Sequence, residues 1–170
     1  MQELAILGGR PLRVKPYPPY NTIGQGEKAA ALKVLDSGAL SGFVATPGPE
    51  FNGGEHVKGL EADFCRYFGS PHAVSFNSAT SALHACLAAG KLDEGDEVIV
   101  SPYTMCASAT AAIMCGATPV FVDIEPDYFC LKVEHVAAAI TNRTKAIVAV
   151  NIFGQPADLE PLAKLSKQNN

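Results

Sequence analysis

Residues 98–122 read VIVSPYTMCASATAAIMCGATPVFV, a run of 25 residues without a charge. Its length is enough to cross a bilayer. Its composition points elsewhere. Ser101, Pro102, Tyr103 and Thr104 interrupt it early, and Ser108, Thr110, Gly116, Thr118 and Pro119 follow. These polar and helix-breaking residues cut the run into a buried strand, a buried helix closed by Gly116, and a second buried strand. Two short apolar runs joined by a helix form a crossover unit, which implies parallel strands.

Working outward, the same alternation continues in both directions. A strand is expected at 73–76, a helix at 80–89, and a strand at 97–100 after the acidic turn Asp93-Glu94-Gly95-Asp96. Beyond it come a helix at 104–115, a strand at 118–122, a helix at 132–140, a strand at 145–150 and a helix at 158–167. The strands are apolar without strict alternation, as when both faces are covered. The expected fold class is therefore α/β, a three-layer αβα sandwich. Upstream, 56–68 reads as an amphipathic helix with Val57, Leu60, Phe64 and Phe68 on one face and Gly69 as its C-cap. A further helix is expected at 25–37, with Ala29, Leu32 and Leu35 available for burial and Gly38 as its stop. Between these helices, residues 38–54 hold five glycines and two prolines and read as a loop. Residues 1–23, with Pro11, Pro16, Pro18 and Pro19, read as an extended arm. The organisation expected is 1–55 as arm, helix and Gly-rich loop, and 56–170 as an incomplete αβα domain whose alternation stops mid-pattern after its last helix.

The chain has 170 residues, with 48% hydrophobic and 18% charged, so it is no disordered segment. A net charge of −4 without a basic cluster argues against a nucleic-acid surface. Five cysteines (Cys65, Cys86, Cys106, Cys115, Cys130) without a CxxC read as buried free thiols of a reducing cytosol. The four histidines show no metal-ligand spacing with them. Met1-Gln2-Glu3 does not open a secretory leader. The expectation is a cytoplasmic protein with no metal and no membrane segment.

Chemistry is expected where strands end and helices begin. In Phe76-Asn77-Ser78-Ala79-Thr80-Ser81-Ala82-Leu83, small hydroxyl residues sit at such a junction. Free N–H groups and the helix dipole favour an anion there, but simple N-capping by Ser78 or Thr80, a signal that recurs in many proteins, is the better reading of these residues taken alone. Ser101-Pro102-Tyr103-Thr104-Met105 lies at the next junction, on the edge where open α/β sheets bind ligands. Met105 could press on a flat ring or simply be core. Asp123-Ile124-Glu125-Pro126-Asp127 reads as a solvated turn rather than a metal or acid–base site. Asn151-Ile152-Phe153-Gly154 reads as a glycine turn, with Asp158 as the next N-cap. Gly24-Gln25-Gly26-Glu27-Lys28-Ala29 has the letters of a dinucleotide fingerprint but follows no strand, so it is rejected.

FNSATSAL (76–83), GDEVIVSPYT (95–104) and ATPVFVDI (117–124), taken together with the segments that follow, resemble the DegT/StrS group of PLP-dependent sugar aminotransferases. Residues 4–13 (LAILGGRPLR) are similar to the opening of its cyclitol and amino-shikimate branch. Ser37-Gly38 with Ser41-Gly42, FNSATSAL (76–83), GDEVIVSPYT (95–104), ATPVFVDI (117–124), TKAIVAV (144–150) and GQPAD (154–158) resemble family blocks in order and spacing. The resemblance implies the N-terminal part of the large domain of the type I PLP-dependent transferase (aspartate aminotransferase-like) fold. It implies pyridoxal 5'-phosphate as cofactor, with Ala79, Thr80 and Ser81 as its phosphate cradle and Met105 against its ring. Many relatives carry an aromatic residue at the Met105 position. Asn151 stands where relatives often have histidine and is assigned no role.

The family's Schiff-base lysine and the Asp that pairs with the pyridine nitrogen fall after residue 170. None of Lys91, Lys132, Lys145, Lys164 or Lys167 stands in the matching motif. The expectation is that no catalytic residue lies in this chain, which by itself does not turn over. The full-length parent would be a homodimer, moving an amino group from an amino acid to a keto-sugar or keto-cyclitol. Such a reaction serves the making of amino sugars (on nucleotide sugars, for surface polysaccharide) or of secondary metabolites. The competing readings are a non-catalytic fragment that binds a phosphate ligand or a partner, and a sugar dehydratase relative with histidine in place of the lysine.

Overall fold

A computed structural model describes residues 3–43, 46–48 and 51–169. The start of the arm, parts of the Gly-rich loop (Val44, Ala45, Pro49, Glu50) and Asn170 lie outside the described residues. The chain divides into two compact units, Met1–Leu60 and Glu61–Asn170.

In the first unit the described part of the arm forms no helix or strand apart from one 3-10 turn, Ala5–Leu7. Helix α1 spans Gln25–Ser37. Gly24 has no side chain to cap it, but Glu27 reaches back to accept the Gly24 N–H at 2.7 Å. Its own backbone N–H and that of Gly24 hold the Glu27 carboxyl below the usual range. Gly38 ends the helix in the left-handed region (φ 69°), as expected. No residue of α1 is buried, so the expected burial of Leu32 and Leu35 is not met within this chain. The Gly-rich loop crosses itself closely. A Cβ on Gly42 would fall 2.3 Å from the Gly54 nitrogen, so only glycine fits there. Helix α2, Glu55–Phe68, starts in this unit and ends in the next.

The second unit holds α3 (Ala79–Ala89), β1 (Glu97–Val100), α4 (Ala107–Met114), β2 (Thr118–Phe121), α5 (Val133–Ala139), β3 (Thr144–Val148) and α6 (Leu159–Gln168). The three strands form a parallel sheet in the order β2-β1-β3. Strand β1 is central, with Ile99 paired to Val120 on one side and Ile147 on the other. Pro119 lacks an N–H and sits on β2, which lies at one side of the sheet, where a missing donor does least harm. The chain leaves β1 for one side through α4 and crosses to the other through α5. Right-handed crossovers in opposite directions put their helices on opposite faces.

The core follows that rule. Val98 packs with Leu87 of α3 and Ala111 and Ala112 of α4, while its neighbour Ile99 packs with Val136 of α5 and Leu162 of α6. Val98, Ile99 and Val100 are all fully buried. Burial of each such side chain is worth about 1.5–3 kcal/mol. The 98–122 run is thus strand, helix and strand, and among the described residues no helix is long and apolar enough to cross a membrane.

At the amino end of the sheet, Glu97 is buried and tied to the segment before β3. The Thr141 hydroxyl donates to its Oε2 at 2.5 Å, and the Arg143 Nε donates to Oε1 at 3.0 Å. The Thr141 hydrogen bond, aided by the Arg143 guanidinium, holds the Glu97 carboxyl below its usual range against the opposing effect of burial.

Three local expectations change. Residues 73–76 are extended but form no strand, because no neighbour supplies a ladder; Glu61 Oε1 instead accepts the Ser75 N–H at 2.8 Å and its hydroxyl at 3.0 Å. Helix α4 begins at Ala107 rather than Thr104. Ser101 Oγ accepts the Tyr103 N–H at 2.9 Å, and this side-chain bond competes with a helical start. Of the five free cysteines only Cys130 is buried, and Cys86 and Cys106 are exposed.

Candidate functional site

In a parallel sheet all carboxyl ends lie along one edge, here occupied by the loops after β1, β2 and β3. Helix α3 runs into the turn that delivers the chain to the amino end of β1, so its own start lies toward the same edge. Helices α3 and α4 pack on one face of the sheet through Leu83, Leu87, Ala111, Ala112 and Cys115.

Ala79, Thr80 and Ser81 are the first three residues of α3. Ser78 caps it: its Oγ accepts the Ser81 N–H at 3.1 Å and donates to the Ser81 Oγ at 2.9 Å. Capping therefore does occur, and it uses one of the early N–H groups. The N–H groups of Ala79 and Thr80 have no partner among the described residues, and both residues are exposed. Exposed N–H donors at a helix start, beside a hydroxyl and with no larger side chain than threonine, suit a phosphate dianion. Met105 lies in the loop before α4, 75% exposed, so it is not core of this chain. Its carbonyl accepts the Ser108 N–H at 3.0 Å.

The acidic segment after β2 is a turn, as expected. Glu125 accepts the Asp127 N–H at 3.3 Å and also the Tyr128 N–H, while Asp123 Oδ1 accepts the Ile124 N–H at 2.9 Å. Asn151, which the sequence left without a role, closes the loop after β3 by accepting the Ala157 N–H at 2.9 Å. Asp158 occupies the N-cap position of α6, but its side chain makes no capping bond.

One grouping was not legible beforehand. Tyr103, Phe129 and Phe153 come from the loops after β1, β2 and β3 and meet as a triangle. Their centroids are 5.5 Å apart for Tyr103–Phe129 and 6.2 Å for each of the other pairs. The signal available in the sequence was at least one aromatic residue in each strand-to-helix loop of one sheet edge: Tyr103, then Tyr128 and Phe129, then Phe153.

The chain matches the DegT/DnrJ/EryC1/StrS aminotransferase family over residues 43–170. It is 35% identical over 169 residues to an L-glutamine:2-deoxy-scyllo-inosose aminotransferase of Streptomyces fradiae, covering 99% of this chain and 39% of that protein. Among solved structures it is similar to a 3-amino-5-hydroxybenzoic acid synthase, with 31% identity and a TM-score of 0.82 over 92% of this chain and 38% of that one. It is also similar to a candidate sugar aminotransferase of Streptococcus pneumoniae in its PLP form, with 34% identity and a TM-score of 0.75 over 91% of this chain and 36% of that one. The fold is thus the α/β fold of the type I PLP enzymes, in part. The chain spans about 39% of the length of the curated relative.

Proposed function

The chain belongs to the DegT/DnrJ/EryC1/StrS aminotransferase family, and on that premise we propose that its full-length parent is a cytoplasmic enzyme that moves an amino group from an amino acid to a keto-cyclitol or keto-sugar. The observation that carries this is the start of α3, where the N–H groups of Ala79 and Thr80, without a partner among the described residues, adjoin the Ser81 hydroxyl. These residues fit the phosphate of pyridoxal phosphate. When bound, that cofactor supplies an electron sink for the carbon that carries the amino group. In this reading Ala79 and Thr80 donate from the backbone, Thr80 and Ser81 add hydroxyls, and Met105 lies against the ring. The Ser78 cap keeps the helix start rigid, so the donors are in place before the cofactor arrives.

The 39% length match supports placing the catalytic lysine and the acid for the pyridine nitrogen in the remainder of the parent. The free thiols are consistent with a reducing compartment. Assembly belongs to the same proposal. Leu12, Val14, Tyr17, Tyr20 and Ile23 of the arm are all largely exposed, a cost that packing on a second subunit would relieve. The decisive experiment is an amino-transfer assay of the full-length parent with L-glutamine and a keto-cyclitol. Transfer dependent on pyridoxal phosphate is expected; its absence with every keto-cyclitol and keto-sugar tried would overturn the reading. Light scattering is expected to show a dimer, and a fully active monomer would refute the assembly.

A further inference from the structure

We propose that Tyr103, Phe129 and Phe153 form a stacking platform that receives the neutral ring of the acceptor substrate, and not the amino-acid donor; this rests on the amino-transfer reading above. The three rings touch one another, yet they remain 45%, 40% and 79% exposed. Phe129 and Phe153 also hold the left-handed backbone region, at φ 63° and 54°. Bulky residues adopt it at a cost that glycine escapes, and such outliers gather at ligand sites. Between the loops after β1 and β3 lies an open cavity of about 260 Å³, lined by Pro102, Tyr103, Thr104, Ile152 and Phe153.

The chemistry of that lining selects its occupant. It has two flat rings and two hydroxyls, and includes no Asp, Glu, Lys, Arg or His. An amino-acid donor brings an ammonium and a carboxylate, which this lining could not pair. A phosphate or nucleotide end would meet the same difficulty. A cyclitol or sugar ring fits, because its C–H face can lie on an aromatic ring while its hydroxyls meet those of Tyr103 and Thr104. Thr104 directly precedes Met105, so the cavity opens on the loop already assigned to the cofactor ring.

The test uses Phe153→Gly in the full-length parent, which removes the ring and relieves the left-handed backbone together. Calorimetry with 2-deoxy-scyllo-inosose and methyl glucoside gives a binding readout independent of turnover. The variant should bind the better of the two rings about tenfold more weakly. Its thermal midpoint should not fall, and the dissociation constant of L-glutamine, measured by the same calorimetry, should stay unchanged. Phe153→Tyr should restore ring binding. Equal ring affinity in wild type and variant, or a wild type that binds neither ring, would overturn the platform. Intact ring binding without any amino transfer would instead count against the function proposed above.

Discussion

Strand β1 and helix α1 are both rich in apolar residues, but they meet opposite fates. Every residue of β1 is buried, and none of α1 is. Strand β1 has a strand on each side and a helix layer on each face, so four neighbours remove it from water. Helix α1 keeps Leu32 and Leu35 about 60% exposed. Helix α2 shows the same pattern, with Leu60, Phe64 and Phe68 at 59%, 50% and 63% exposure. An apolar stripe is only half of a packing interaction. The stripes of α1 and α2 mark surfaces suited to a partner element, whereas β1 already has all of its partners.

The strongest way to break this contrast is truncation inside β1. Ile99→Ala should cost about 2–5 kcal/mol by denaturant unfolding, through lost burial and the cavity left between α5 and α6. Leu32→Ala on α1 should stay within about 0.5 kcal/mol, as at an ordinary surface site. Equal costs would show that β1 is not the core. Next comes association. The 170-residue chain should self-associate in light scattering, and Phe64→Lys with Phe68→Lys should reduce this. A monodisperse wild-type chain would show that the α2 stripe is harmless.

A smaller effect is expected at the start of α3. Thr80→Val in the full-length parent should weaken pyridoxal phosphate binding by about 1–2 kcal/mol, the scale of one hydrogen bond to a charged group. An unchanged Kd would remove Thr80 from the cradle. The smallest effect concerns Glu97. Its carboxyl is held below the ordinary value in the folded chain, so the stabilisation is complete above that ordinary value. It is lost as pH falls through the depressed one. Glu97→Gln should flatten the acid limb of a stability–pH curve and leave its slope near neutrality unchanged. An acid limb identical in wild type and variant would show that the Thr141 and Arg143 contacts do not persist in solution.

Much of the fold was legible locally. Helix α1 was expected at 25–37 and spans Gln25–Ser37, because Gly38 supplies a stop that acts within a few residues. Residues 97–100 form a strand as expected, since a short apolar run between turns has few other uses. The start of α3 was legible as a junction of small hydroxyl residues. Whether those residues cap the helix or face a ligand was not, and the structure shows Ser78 capping while the N–H groups of Ala79 and Thr80 find no partner among the described residues. The α4 start was misread because a side-chain bond from Ser101 is invisible to periodicity.

By itself the sequence determined the order of elements, the parallel α/β class and the family, because periodicity, caps and motifs act over a few neighbouring residues. Tertiary structure alone decided the rest. It placed β1 between β2 and β3, left 73–76 extended without a ladder, exposed the stripes of α1 and α2, and brought Tyr103, Phe129 and Phe153 together. The physical reason is that a strand needs the hydrogen bonds of a neighbour, a stripe needs a facing surface, and three rings meet only when the sheet order sets their loops side by side.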